Sequence, residues 1–186
     1  MASKQYLKII KNTLSSRWFL TSVIIALILF CTDQYLKYLS ISAMQQKMFS
    51  DSYATYVFIS DITDTWFGIK LDWVYSTNTG MAWSVMSSQP LILFGIRIVI
   101  LSALSFIVLT QQYDRFKSAC LVCVMSGAIS NIVDVLRRGM VIDYIHATLL
   151  GWTGYPVFNI ADVVIVVSVG LFLISSLRYR TEHYNN

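Results

Sequence analysis

Apolar residues along this chain fall into four long runs, covering approximately residues 18–38, 90–110, 119–136 and 158–177. A bilayer core of about 30 Å takes about 20 helical residues at about 1.5 Å each. Each run therefore predicts a membrane-spanning helix. The first run follows a basic tail of Lys4, Lys8, Lys11 and Arg17, which looks like the start of a secretory signal. No small-x-small cleavage site follows it and the run is long for a signal core, so it is expected to remain as a helix. Cys31 invites a lipid-attachment reading, but Phe30 stands where the lipobox takes a small residue.

Between the first two runs lies a loop of about residues 39–89, too long for a mere connector. Within it Ile69, Leu71, Trp73 and Tyr75 alternate with Lys70, Asp72 and Val74, which mostly fits a half-buried strand. Residues 53–59 are rich in aromatic and β-branched side chains and could pair with it. The pattern predicts a four-helix membrane protein carrying a small outer β-element. No repeat or Gly/Ser linker interrupts the chain, so a single membrane-embedded domain, residues 1–186, is expected, with the outer loop as its appendage.

Composition supports the membrane reading, because 56% of the 186 residues are hydrophobic and only 13% are charged, about half the charge of a soluble domain. The net charge of +4 does not point to nucleic acid, since the basic residues sit in small groups beside apolar runs. They serve better as orientation signals. Lys4, Lys8, Lys11, Arg17, Arg115, Lys117, Arg178 and Arg180 crowd one side, whereas Lys37, Lys47, Lys70, Arg137 and Arg138 are spread over the other. Both termini are expected in the cytoplasm. Cys31, Cys120 and Cys123 lie in or beside apolar runs, so no disulfide framework follows.

A charged side chain at the bilayer centre costs about 2.5–3.5 kcal/mol on insertion scales and usually faces a bundle interior or watery cavity. This chain places a set of polar residues near the outer ends of its helices. Asp33 and Lys37, four residues apart, share a face in the last turns of the first helix and can pair. Asn78 and Gly80 precede the second helix, and Arg97 lies about 10 Å inside it. Asn131 and Asp134 occupy the last turns of the third, Asp143 follows it, and Asn159 and Asp162 open the fourth. Any single member could be an interfacial residue, but four helices delivering polar groups to one depth suggest a site.

Two carboxylates stand out, Asp143 and Asp162, because neither has a basic residue close in sequence. If they meet, like-charge repulsion keeps one protonated while the other activates water, which is the physics of an aspartic protease. Proton-coupled transporters use the same groups, so the pair alone leaves both readings open.

Five sequence blocks, in order, resemble the motifs of the bacterial lipoprotein signal peptidase (signal peptidase II) family. They are Asp33 with Lys37; 78–84 (Asn-Thr-Gly-Met-Ala-Trp-Ser); 126–134 (Ser-Gly-Ala-Ile-Ser-Asn-Ile-Val-Asp); 139–143 (Gly-Met-Val-Ile-Asp); and 158–162 (Phe-Asn-Ile-Ala-Asp). The likeness runs from about residue 33 to 170. It implies an aspartyl endopeptidase of the bacterial inner membrane that removes the signal peptide from diacylglyceryl-modified prolipoproteins just before the lipid-modified Cys. It further implies that Asp143 and Asp162 are the catalytic pair, that Asn78, Asn131, Asn159, Asp33 and Lys37 shape the site, and that no metal or cofactor takes part. Membrane lipid is then a partner, the site faces outward, and an outer β-cradle sits on four helices.

The sequence departs from that pattern at two positions. Where many members have Asp-Arg, it has Asp134 followed by Val135, and Ser130 replaces a usual Gly. Arg97 could supply the missing cation to Asp134, or it could reach for outer headgroups. A non-catalytic relative that binds lipoprotein or lipid is the alternative this departure leaves open. Cys120 and Cys123 have metal or redox spacing but lack a second ligand pair. His146, three residues after Asp143, raises a metal site or general base if the segment is helical; Ser84 with Lys37 raises a nucleophile pair. Trp152 and Tyr155 read as interfacial anchors.

Overall fold

Helix formers and caps set where each apolar run begins and ends. The structure is a computed structural model that describes residues 7, 10, 12–14, 16–47, 56–63, 65, 67–79, 89–110 and 113–184. Helix α1 spans Arg17–Lys47, well beyond the expected end at residue 38. The extension has no Gly or Pro and finishes on Ala43, Met44, Gln45, Gln46 and Lys47, all good helix formers. Asp33 and Lys37 consequently sit inside the helix and not in its last turns.

Helix α2 is Pro90–Thr110, as expected, opening on a proline, whose missing N–H is no loss at a first helical position. Helix α3, Arg115–Arg138, is capped by Asp114, whose Oδ1 accepts the Lys117 N–H at 2.9 Å. It ends at Gly139, whose φ of 73° is the left-handed conformation that closes many helices. Helix α4 is Ile160–Tyr184. It starts after Phe158 because Phe158 exchanges backbone hydrogen bonds with Ile145. Among the described residues, these four helices are long and apolar enough to cross a membrane.

The chain divides into two compact units, one drawn from residues 1–30, 96–129 and 161–186, the other from 31–95 and 130–160. In the first, Ala26, Val108, Leu121 and Val122 form a buried core flanked by Phe19, Val23, Leu104, Ile107, Met125 and Phe172. Small residues allow its helices to approach closely. Ser126 Oγ donates to the Ala26 carbonyl at 2.6 Å, and a Cβ added to Gly127 would lie 2.6 Å from the Ala161 carbonyl oxygen.

The second unit holds a three-stranded antiparallel sheet in the order β1-β2-β3. Its strands are β1, Tyr56–Asp61; β2, Ile69–Asn78; and β3, Val141–Leu149. The alternating segment is the central strand, and the segment after α3 is its partner. A bulge between Trp73 and Ser76 shifts the β2–β3 register by one residue, from Trp73 opposite Ile145 to Ser76 opposite Asp143. A one-residue slip exchanges the faces of everything beyond it. Without it Asp143 would oppose Tyr75 and Asn78 would point to the other face. With it, Asn78 and Asp143 share a face.

Candidate active site

Lys37 is the centre of the polar unit and is fully buried. An ammonium group has three hydrogens and no acceptor, and each hydrogen has a destination: Asp33 Oδ2 at 2.7 Å, Asp134 Oδ2 at 2.7 Å, and Asn131 Oδ1 at 3.0 Å. Asp33 and Asp134 are themselves buried. Two buried anions on one cation would leave a net negative charge, which a low-dielectric interior strongly disfavours.

The second cation is Arg138, whose Nη1 lies 2.9 Å from Asp134 Oδ1. The quartet of Asp33, Asp134, Lys37 and Arg138 is therefore neutral. Asp134 also accepts from Gln34 Nε2 at 3.2 Å and from the Ile142 N–H at 3.4 Å. Two cations thus reach Asp134 from within its own unit, Lys37 and Arg138. Sequence reading missed Arg138, although its spacing four residues after Asp134 on one helix was the signal. Ser130, the other departure from the family pattern, has a use as well: its hydroxyl donates to Asp33 Oδ2 at 2.6 Å and accepts from Gln34 at 2.9 Å.

Asp143 is reached from this cluster through amides. Asn159 Nδ2 donates to Asp143 Oδ1 at 2.7 Å, and also lies 3.3 Å from the Ile142 carbonyl and 3.2 Å from Asn131 Oδ1. Asn131 Oδ1 is the same atom that receives Lys37. On the other carboxylate oxygen, Asn78 Nδ2 donates to Asp143 Oδ2 at 3.2 Å, from the diagonal position that the β-bulge makes available. Asp143 is 3% exposed. A nearly buried carboxylate whose two oxygens each accept an amide hydrogen is fixed in orientation.

Asp162 lies in the first turn of α4, where the helix N-terminus favours negative charge. Arg97 is in α2, and Gly80, Trp83 and Ser84 lie outside the described residues. His146 is on a strand, so its three-residue offset puts it on the face opposite Asp143. Its Nδ1 is 3.5 Å from Asp72 Oδ2. Trp152 and Tyr155 are exposed and stack edge to face at 6.4 Å.

Known proteins share this arrangement of sequence and fold. Lipoprotein signal peptidases of Staphylococcus aureus strains JH9 and Newman are each 30% identical over 159 residues, covering 85% of this chain and 88% of the relative. A bacterial membrane enzyme solved by the in meso method at 2.3 Å matches with a TM-score of 0.68 and 26% identity, over 87% of this chain and 90% of that one. Another, solved at 1.9 Å, matches at 0.64 and 27%, over 84% and 92%. The model of the signal peptidase (SPase) II family, Peptidase_A8, matches residues 25–178, a span that contains Lys37, its ion partners, Asp143 and Asp162 alike. The chain belongs to the signal peptidase II family.

Proposed function

We propose that Asp143 and Asp162 are the catalytic pair with which this multi-pass inner-membrane aspartic peptidase removes signal peptides from prolipoproteins. One carboxylate takes a proton from water as the oxygen attacks the scissile carbonyl. The other, protonated, gives its proton to the carbonyl oxygen; as the tetrahedral intermediate collapses it takes a proton back from that hydroxyl, and the first carboxyl passes the proton it took from water to the leaving amine. The carboxylates carry the acid–base chemistry themselves, with no cofactor. The observation that carries this reading is the double amide clamp on Asp143, which fixes a carboxylate inside a family-matched motif. Arg138 answers the absence of arginine at Val135, so that departure no longer favours a non-catalytic relative. Asn131, Asn159, Asn78, Asp33, Lys37, Asp134 and Arg138 act as the frame of the site.

The substrate class follows from the membrane setting. A diacylglyceryl-modified precursor holds its acyl chains in the bilayer while its signal helix spans it, which brings the scissile bond to the outer headgroup level. Both termini of the peptidase then lie in the cytoplasm, and the site opens outward. Each buried CH₂ of the lipid adds about 0.8 kcal/mol to membrane anchoring. Purified protein in lipid vesicles should cut the lipidated precursor just before the modified Cys, read by mass spectrometry of the new N-terminus, and cut the non-lipidated precursor at least about tenfold more slowly. Equal rates on the two precursors would contradict this substrate assignment.

A further inference from the structure

Residues Phe158, Asn159 and Ile160 are three consecutive positions, and each is tied to β3 by a different group. Phe158 is held through its backbone, its carbonyl accepting from the N–H of Tyr144 at 3.0 Å and of Ile145 at 2.8 Å. Asn159 is held through its side-chain amide on Asp143. Ile160 is held by the phenol of Tyr144, whose oxygen accepts the Ile160 N–H at 3.1 Å. That N–H is among the first of α4, which have no partner inside the helix. The same hydroxyl donates to Asp33 Oδ1 at 2.9 Å. A phenol has one hydrogen to give, and here it goes to an anion, the stronger kind of hydrogen bond.

We propose that Tyr144 is a positioning residue that ties Ile160, the first residue of α4, to the ion cluster of Lys37. Tyr144 is the next residue after Asp143 in β3, and Ile160 is two residues before Asp162 in α4. Successive strand side chains point to opposite faces, so Asp143 serves one face while Tyr144, 3% exposed, serves the other. A single dipeptide thereby carries one proposed catalytic carboxylate and anchors the helix that carries the second. The ring supplies packing, and the hydroxyl alone supplies the link. This inference rests on the assignment of Asp143 and Asp162 as the pair.

Tyr144→Phe keeps the ring and removes the link, so it separates the two contributions. With the full chain in lipid vesicles and a diacylglyceryl-modified precursor, kcat should fall about tenfold while KM stays within about twofold. Amide hydrogen exchange at Ile160 should speed up, while exchange in the middle of α3 stays as in the wild type. An unchanged kcat, or a loss confined to KM, would overturn the proposal. So would a loss matched by a fall in folded protein, since that is what a packing role alone produces. Asp143→Asn and Asp162→Asn run alongside. If Asp162→Asn still processes the precursor, the pair itself is wrong and Tyr144 falls with it. If both are inactive while Tyr144→Phe equals the wild type, the pair stands and only the role of Tyr144 is lost.

Discussion

Most described hydroxyl groups of the apolar unit bond their own helix, with Ser126 reaching Ala26 as an exception, whereas the polar unit adds hydroxyl bonds across the chain to the local one that Ser40 gives Leu36. In the apolar unit Thr21, Ser22, Ser102, Ser105, Thr110 and Ser176 each donate to the carbonyl four residues earlier on their own helix. In the polar unit Ser130 and Tyr144 reach Asp33 across long stretches of chain, and Ser40 accepts from Trp73 Nε1 at 2.7 Å. A hydroxyl bonded to its own helix meets its need in apolar surroundings but fixes nothing beyond that helix. A hydroxyl bonded across the chain fixes one segment against another, at the risk that losing one partner strands the rest. The apolar unit is built for tolerance and the polar unit for position.

The sharpest way to break that contrast is to remove Lys37. Lys37→Met leaves Asp33 and Asp134 buried with Arg138 as the one remaining cation of the quartet, and breaking a buried pair from one side costs about 3–5 kcal/mol. We expect loss of processing and a large fall in melting temperature in detergent. Arg138→Gln should be milder, because Arg138 is the one partially exposed member of the quartet. Next in size is Gly127→Val in the apolar unit. Its new side chain meets the Ala161 backbone, and overpacking of this kind costs about 1–3 kcal/mol. The melting temperature should fall, and kcat per folded molecule should fall less than in Lys37→Met, since Ala161 precedes Asp162. A greater loss of kcat from Gly127→Val than from Lys37→Met would erase the distinction.

The smallest expected effect lies at the α3 cap. The Lys117 N–H, then the Lys117 side chain, holds Asp114 below the ordinary carboxylate value of 3.8. Asp61 is likewise lowered by its hydrogen bond from Lys70. A carboxyl lowered in the folded state stabilises above its unfolded pKa, and that stability is lost as pH falls through the folded value. Asp114→Ala should therefore lower stability by about 1 kcal/mol at pH 7, and the gap to the wild type should close in unfolding curves taken well below pH 4. A gap that persists undiminished in acid would show that the cap does not act through its charge.

The four helices were legible because a bilayer demands about 20 apolar residues, a long and unambiguous signal. α2 was placed to the residue. α1 ran past its expected end because helix propensity continues where hydropathy stops. The outer strand pair was legible from alternation at Ile69 to Tyr75, with β1 beginning at Tyr56 and residues 53–55 outside the described ones. β3 is not distinguishable from a short helix by hydropathy, since a short apolar run such as Met140 to Ile145 fits both.

Within the candidate site, Asp33, Lys37, Asn78, Asn131, Asp134, Asp143 and Asn159 were all named from sequence, and they do form one connected network. The role of Tyr144 was not legible. A tyrosine in an apolar strand reads as packing, and its hydroxyl acquires a function only when Asp33 and Ile160 are brought beside it. The pairing of Arg138 with Asp134 was hidden for a similar reason. Depth along a helix can be counted, but which side chains turn toward a buried anion is decided by tertiary packing. The one-residue bulge that aligns Asn78 with Asp143 leaves no mark in hydropathy at all.

The central claim is that Asp143 and Asp162 together perform the cleavage, and it is tested most directly by replacing each in turn with Asn. Asparagine keeps the size and planarity of the side chain and removes the proton transfer. Purified Asp143→Asn and Asp162→Asn proteins, shown to be folded by unchanged melting behaviour, would be given the lipidated precursor in vesicles. We expect each to lower kcat by at least about a thousandfold, with the double variant no worse than either single one. Processing near the wild-type rate by either single variant would contradict the assignment.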